Sequence, residues 1–285
     1  GFDSRSGLHC LSSDRSRTCT VMGVEQLSCG SLRLDFDAAN GGRISQVVAH
    51  DVPLLVGPQG DDTAPIGWGS YPMVPWAGRL GNGRFQFRRD VVTMPANFGP
   101  HAIHGTGVFN SWEVVARSTS SLVARLDLQQ TGWPYPSWCE QRISLGPDSL
   151  HLEMSVHGDQ REFPAQVGWH PWFRIPDSYT ARFGSMLVRD VDYLTTSQRV
   201  APPVGPWDDC FTDLQDGPSL VIDGVRVDLS SSCDYWVVYN ESPVGWCVEP
   251  QSGPPNAFNT YAESSLDIVG PARVLQHSFT WHFSV

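Results

Sequence analysis

Apolar and polar residues alternate with a period of two along much of this chain. Leu32, Leu34 and Phe36 are separated by Arg33 and Asp35, and Leu122, Ala124, Leu126 and Leu128 by Val123, Arg125 and Asp127. Leu150, Leu152, Met154 and Val156 flank His151, Glu153 and Ser155; Val225, Val227 and Leu229 flank Arg226 and Asp228; Leu275 to Phe283 closes the chain similarly. Successive side chains of a strand point to opposite faces, so each run predicts a half-buried strand of an antiparallel sheet. No window sustains a 3.6-residue apolar stripe beyond about two turns. The expectation is an all-β fold, a large antiparallel β-sandwich of two packed sheets. No repeat, low-complexity tract or strong linker divides the pattern, so residues 22–285 are expected to form one domain. Residues 1–21 are polar and lack the apolar centre of a secretory signal. With Met22-Gly23 as an original start, they read as a tag or a disordered leader.

Composition sharpens this picture. The chain has 27 Gly and 22 Pro in 285 residues, which calls for many turns and few long helices. Eleven Trp and thirteen Phe supply a wide core, and also flat faces of the kind on which sugar rings stack. The net charge is -11, and all 19 basic residues are Arg. An acidic chain without basic runs argues against nucleic acid and anionic membranes as partners. No run reaches the roughly 18 apolar residues of a membrane span. Seven scattered Cys without a C-x-x-C pair or zinc spacing read as reduced thiols, and so predict a cytoplasmic protein.

Four stretches carry candidate chemistry. In Trp246-Cys247-Val248-Glu249-Pro250-Gln251 a short apolar run ends on a carboxylate, before the irregular Gly253-Pro254-Pro255-Asn256. Apolar walls there would raise the Glu249 pKa toward that of a working general base; a loop cap or an Arg partner is the plainer use. In Trp169-His170-Pro171-Trp172-Phe173 an imidazole sits between two indoles. Burial would lower its pKa and a nearby carboxylate would raise it, leaving it protonated as a general acid; a core His bonded to a carbonyl is the alternative. In Gly78-Arg79-Leu80-Gly81-Asn82-Gly83-Arg84 tight backbone carries Arg79, whose rigid fork of donors suits neighbouring hydroxyls or a carboxylate. In His101-Ala102-Ile103-His104-Gly105 two His are three apart, but the flanking Gly and Pro argue against a helix and no third ligand is near, so no metal is expected. His101 reads as structural.

Together these stretches resemble the aldose 1-epimerases (the galactose mutarotase-like family). Glu249-Pro250-Gln251 with its Pro-rich loop looks like the family's C-terminal signature, whose Glu is the catalytic base. His170-Pro171-Trp172-Phe173 resembles the segment with the catalytic acid and implies that Trp172 also meets substrate. Gly78, Arg79 and Asn82 match a block whose Arg contacts substrate, with an inserted Gly83 as in a bacterial branch. His104-Gly105 before Trp112 looks like the block of a substrate-contacting His, although the second Gly usual there is Thr106. Asp208-Asp209-Cys210-Phe211 resembles a block whose first Asp binds sugar hydroxyls. The resemblance spans roughly residues 32–285 and implies a β-supersandwich that interconverts the anomers of a free aldohexose without a cofactor, as a monomer or homodimer. Glu249 and His170 would act as base and acid, and His104, Arg79, Asp208, Asn82 and Trp172 would bind the sugar. Three rivals stand beside it. One is a hexose-6-phosphate 1-epimerase, with Arg79, Arg84, Arg88 and Arg89 about a phosphate. The others are a non-catalytic carbohydrate-binding module, and a glycoside hydrolase using Glu249 and Asp208.

Overall fold

A computed structural model describes residues 23–58 and 64–285; the expected leader, residues 1–21, lies outside them. The five cysteines within the described residues are free thiols. Among the described residues no helix is long and apolar enough to cross a membrane.

The strands form two large antiparallel sheets. The first runs Glu25–Cys29, Leu32–Asp37, Arg43–Ala49, Ser70–Met73, Gly168–Phe173, Trp246–Gln251, Tyr235–Tyr239 and then the start of Asp208–Ile222. The second runs Glu113–Arg117, Ser121–Asp127, Ser137–Leu145, Ser149–Gly158, Leu275–Ser284, Val225–Ser231 and then the end of Asp208–Ile222. The 15-residue strand Asp208–Ile222 thus belongs to both and joins them, with Ser178–Arg189 beside it. The runs of alternating residues fall on strands with the apolar set buried, as for Leu32, Leu34 and Phe36, or Val225, Val227 and Leu229, except that Leu128 is buried just past the end of Ser121–Asp127.

The strands that carry the site break this alternation. Gly168–Phe173 and Trp246–Gln251 are covered on both faces. One face of Gly168–Phe173 sends Trp169 and Phe173 into the core, where they meet Phe279 and Trp281 of the second sheet at ring separations of 5.8 and 4.8 Å. Trp236 joins the same cluster at 6.0 Å from Phe279. Such pairs add about 0.5–1.5 kcal/mol each beyond their area burial, so this side of the strand is anchored. Parity then fixes the opposite face. His170 and Trp172, Cys247, Glu249 and Gln251, and Val237 and Tyr239 all point away from the core, into a space roofed by loops. Rigidity on one face holds chemistry in place on the other.

Candidate active site

The roofed space is a cavity of about 320 Å³, within the range of small-molecule sites and at its small end. His170 and Glu249 form its floor. The antiparallel register pairs Gly168 with Gln251 and Trp172 with Cys247, which sets His170 opposite Glu249. Their side chains touch, with His170 Nε2 3.1 Å from Glu249 Oε1. Gln251, two residues on and on the same face, donates from Nε2 to Glu249 Oε2 at 3.1 Å. The Tyr71 ring stacks on His170 at 4.6 Å and its hydroxyl donates to the Ile66 carbonyl, as does the Trp172 indole N–H.

Both members of the central pair are almost fully buried. Burial pushes the Glu249 carboxyl well above its ordinary range, and the negative Asp208 nearby adds to this; the bond from Gln251 and the charge of Arg79 oppose it only in part. Burial likewise pushes His170 down to about 3, with the buried cation Arg43 acting in the same direction. A low dielectric penalises separated charges, so burial favours the neutral form of both members of the pair. Desolvation thus works against the standing imidazolium expected from the sequence, and it acts against the ionised form of the neighbouring carboxyl in the same way.

His104 occupies the wall at right angles to His170, with ring centroids 4.8 Å apart. Desolvation, then His170 and Arg79, hold its pKa well below the ordinary value, so it too is neutral. Its backbone is left-handed (φ 61°) and donates to the Gly78 carbonyl at 3.0 Å. Gly105 follows at φ 74°, where a Cβ would lie 2.0 Å from the Val74 carbonyl oxygen; only glycine lets the chain pass there. Thr106, which follows, adopts φ -109° and donates its N–H to the Val74 carbonyl, so no glycine is needed there.

The cavity mouth is a charged cluster. Asp208 Oδ2 accepts from Arg189 at 2.8 Å and more loosely from Arg79 at 3.5 Å. Arg189 also reaches Asp209 Oδ1 at 3.0 Å. Two guanidinium groups and two carboxylates balance to zero, and among the described residues Arg79 is the cation of this cluster with donors to spare. Arg43 is fully buried and spends its donors on the carbonyls of Asn40, Pro65 and Trp68, stacked 4.1 Å over the Trp68 ring; it fixes the loop that supplies the Ile66 wall.

Six of the seven residues expected from the sequence thus line one cavity: Glu249, His170, His104, Arg79, Asp208 and Trp172. Asn82 does not. It is exposed in a left-handed turn (φ 51°) beside a separate surface hollow. Its backbone N–H donates to His101 Nδ1 at 3.1 Å, so its contribution is the turn itself, and its assignment to the sugar site is corrected. His101 is a structural residue, with Nε2 3.2 Å from the Asp192 carbonyl. Nor do the arginines suggested for a phosphate gather: Arg88 faces solvent, paired with Glu162 and Glu263. Tyr71, Arg189, Tyr239 and Gln251 were missed. Of these only Gln251 left a signal, its spacing of two from Glu249 on a strand.

The family model for aldose 1-epimerase matches residues 41–265. Over 157 residues the chain is 29% identical to the uncharacterized protein YphB of Escherichia coli K12, a match covering 54% of this chain and about half, 53%, of that protein. Among solved structures, a galactose mutarotase-like protein from Clostridium acetobutylicum superposes with a TM-score of 0.79 at 17% identity, covering 91% of this chain and 94% of that one. An aldose epimerase homologue from C. elegans gives 0.77 at 14%, covering 92% and 98%. At these identities the structures establish the shared fold, a large antiparallel β architecture. The family match spans most of the chain, including every residue that lines the cavity floor, and so this protein belongs to the aldose 1-epimerase family.

Proposed function

We propose that the protein is a mutarotase acting on a free, uncharged aldohexose. The observation that carries this reading is the His170–Glu249 contact of 3.1 Å between two buried side chains on the floor of the cavity. Mutarotation needs one acid and one base at two oxygens that share the anomeric carbon, and a pair in contact that holds a single proton supplies both. Hydrogen bonds from the sugar hydroxyls and from Arg79 would favour the ionised carboxylate, moving the shared proton to His170. Glu249 then takes the proton of the anomeric hydroxyl while His170 gives its proton to the ring oxygen, and the ring opens to the aldehyde. Rotation about the C1–C2 bond and reversal of both transfers closes the other anomer. Positioned proton transfer of this kind contributes about 10²–10⁴-fold. Asp208 accepts from sugar hydroxyls, Arg79 donates and His104 donates or accepts at the walls, and the Trp172 ring offers an apolar edge.

The balanced charge at the mouth argues against a hexose 6-phosphate, because a dianion would meet Arg79 and Arg189 already offset by Asp208 and Asp209. Asp208 is tied to two arginines, which suits an acceptor of hydroxyls better than the second acid of a hydrolase. Polarimetry of freshly dissolved α-D-glucose and α-D-galactose tests the proposal. Wild type should speed the approach to the equilibrium rotation while Glu249→Gln and His170→Asn do not. Binding of either sugar without acceleration would sink the catalytic reading in favour of a carbohydrate-binding protein.

A further inference from the structure

Beside the residues of the cavity floor lies a buried third donor that the proton chemistry leaves unused. Cys247 shares the outward face of its strand with Glu249, and its register partner is Trp172, so it lies diagonal to His170. One cross-strand pair and one diagonal neighbour thus place an imidazole nitrogen, a thiol sulfur and a carboxyl oxygen on a single face, all within 4.8 Å of one another and all buried. We propose that His170, Cys247 and Glu249 bind a borderline divalent metal ion, Zn²⁺ or its Co²⁺ surrogate, and that the ion excludes the catalytic state of the pocket.

Four arguments converge. The mixed N, S and O donor set is the one Zn²⁺ accepts in tetrahedral sites, whereas Mg²⁺ and Ca²⁺ favour oxygen alone. With bonds of about 2.0 Å to nitrogen and about 2.3 Å to sulfur, tetrahedral donors lie about 3.5 Å apart, so the present spacing closes on an ion with side-chain adjustment and no strand movement. Charge also fits: a thiolate and a carboxylate cancel the dication, and a neutral centre is tolerated where either anion alone is not. Finally, Gln251 already holds the far carboxyl oxygen, the outer-shell support that orients a ligating carboxylate. Three protein ligands leave the fourth position toward the cavity, where water or a sugar hydroxyl would complete the shell. Binding takes the protons from the Cys247 thiol and the Glu249 carboxyl and releases both to solvent, while His170 gives its Nε2 lone pair. The ion therefore consumes the base and the acid at once.

The metal site stands on geometry alone; only its inhibitory effect rests on the mutarotase reading. The test is titration of the full-length, chelator-treated protein with Co²⁺, followed by optical absorption. One equivalent should give the intense visible bands of tetrahedral cobalt with a thiolate-to-cobalt band in the near ultraviolet, and excess Zn²⁺ should bleach both. Cys247→Ser should lose the near-ultraviolet band, and His170→Asn, which keeps the thiol, should lose the tetrahedral bands. A spectrum like that of aqueous cobalt, or bands that survive Cys247→Ser because the ion sits elsewhere, would overturn the proposal. In parallel polarimetry, stoichiometric Zn²⁺ should abolish wild-type mutarotation and leave Cys247→Ser at its own metal-free rate. Cobalt bands in a protein that never mutarotates would sink the proposed function and leave the metal site. Mutarotation with no cobalt bands would sink the metal site alone.

Discussion

Replacing Glu249 by Gln separates a neutral resting pair from an ionic one. The amide has the carboxylic acid's shape: its oxygen accepts from Gln251 and its NH₂ donates to the His170 Nε2 lone pair, so both contacts are rebuilt. A neutral-for-neutral exchange of hydrogen bonds changes stability by about 1 kcal/mol or less. An ionic pair would behave otherwise, because removing the carboxylate strands a buried imidazolium at a cost of about 3–5 kcal/mol. Linkage makes the contrast sharper. In wild type the unfolded Glu249 loses its proton above 4.5 while the folded one keeps it, so this group's contribution to stability falls as pH rises beyond 4.5. His170 acts oppositely: the unfolded imidazole is charged below 6.5 while the folded one stays neutral down to about 3, so its contribution rises with pH between those values. Between 4.5 and 6.5 the two slopes cancel, and wild-type stability is flat in these two groups. Glu249→Gln keeps only the His170 slope. Its stability should climb relative to wild type by up to about 1.4 kcal/mol for each pH unit above 4.5. Urea unfolding of both proteins from pH 4 to 7 measures this, while polarimetry should show the rate falling about 10²–10⁴-fold, or about 3–5 kcal/mol in the barrier. A variant destabilised by 3 kcal/mol or more at pH 6 would refute the neutral pair.

Three further outcomes follow from the same geometry. Gly105→Ala must shift backbone, since its Cβ meets the Val74 carbonyl at 2.0 Å in a left-handed residue; a loss of about 2 kcal/mol or more in unfolding is expected, with KM raised through displaced His104. Arg189→Gln releases Asp208 and Asp209 from their better-placed cation; the cluster is partly exposed, so the effect should be about 3–10-fold on KM with kcat little changed, read from initial rates. Glucose 6-phosphate should be a poorer substrate than glucose in kcat/KM, and Asp208→Asn should narrow the gap, because it removes one of the carboxylates that repel the phosphate.

Much of this was legible in the sequence. Strands with one wet face advertise themselves by alternation, and Leu32–Asp37 or Val225–Ser231 could be read directly. The site strands could not, because Gly168–Phe173 and Trp246–Gln251 are buried on both sides and read as apolar runs with polar intruders. Those intruders, His170 and Glu249, were nevertheless the best clue to chemistry, since a buried polar group needs a reason. What the sequence could not convey was their contact. Desolvation and a neighbouring carboxylate pull an imidazole's pKa in opposite directions, and the balance turns on a 3.1 Å contact and a shared burial that sequence spacing does not reveal. Arg189 and Tyr71 escaped because their roles come from long-range contacts, with Asp208 and with His170, that no local spacing announces. Asn82 erred the other way: a matching letter in a block, turned to solvent by the left-handed turn it makes possible.

The cavity floor is stitched from strands far apart along the chain. Ser70–Met73 lies against Gly168–Phe173, which lies against Trp246–Gln251. Each seam closes a loop of more than seventy residues, and such pairings form late because chain entropy is spent before contacts repay it. No fragment can carry the site, and a refolding chain will regain local hairpins well before it regains a catalytic floor. Recovery of mutarotation after dilution from denaturant should therefore trail recovery of strand content, making activity the last signal to return and a stringent reporter of complete folding.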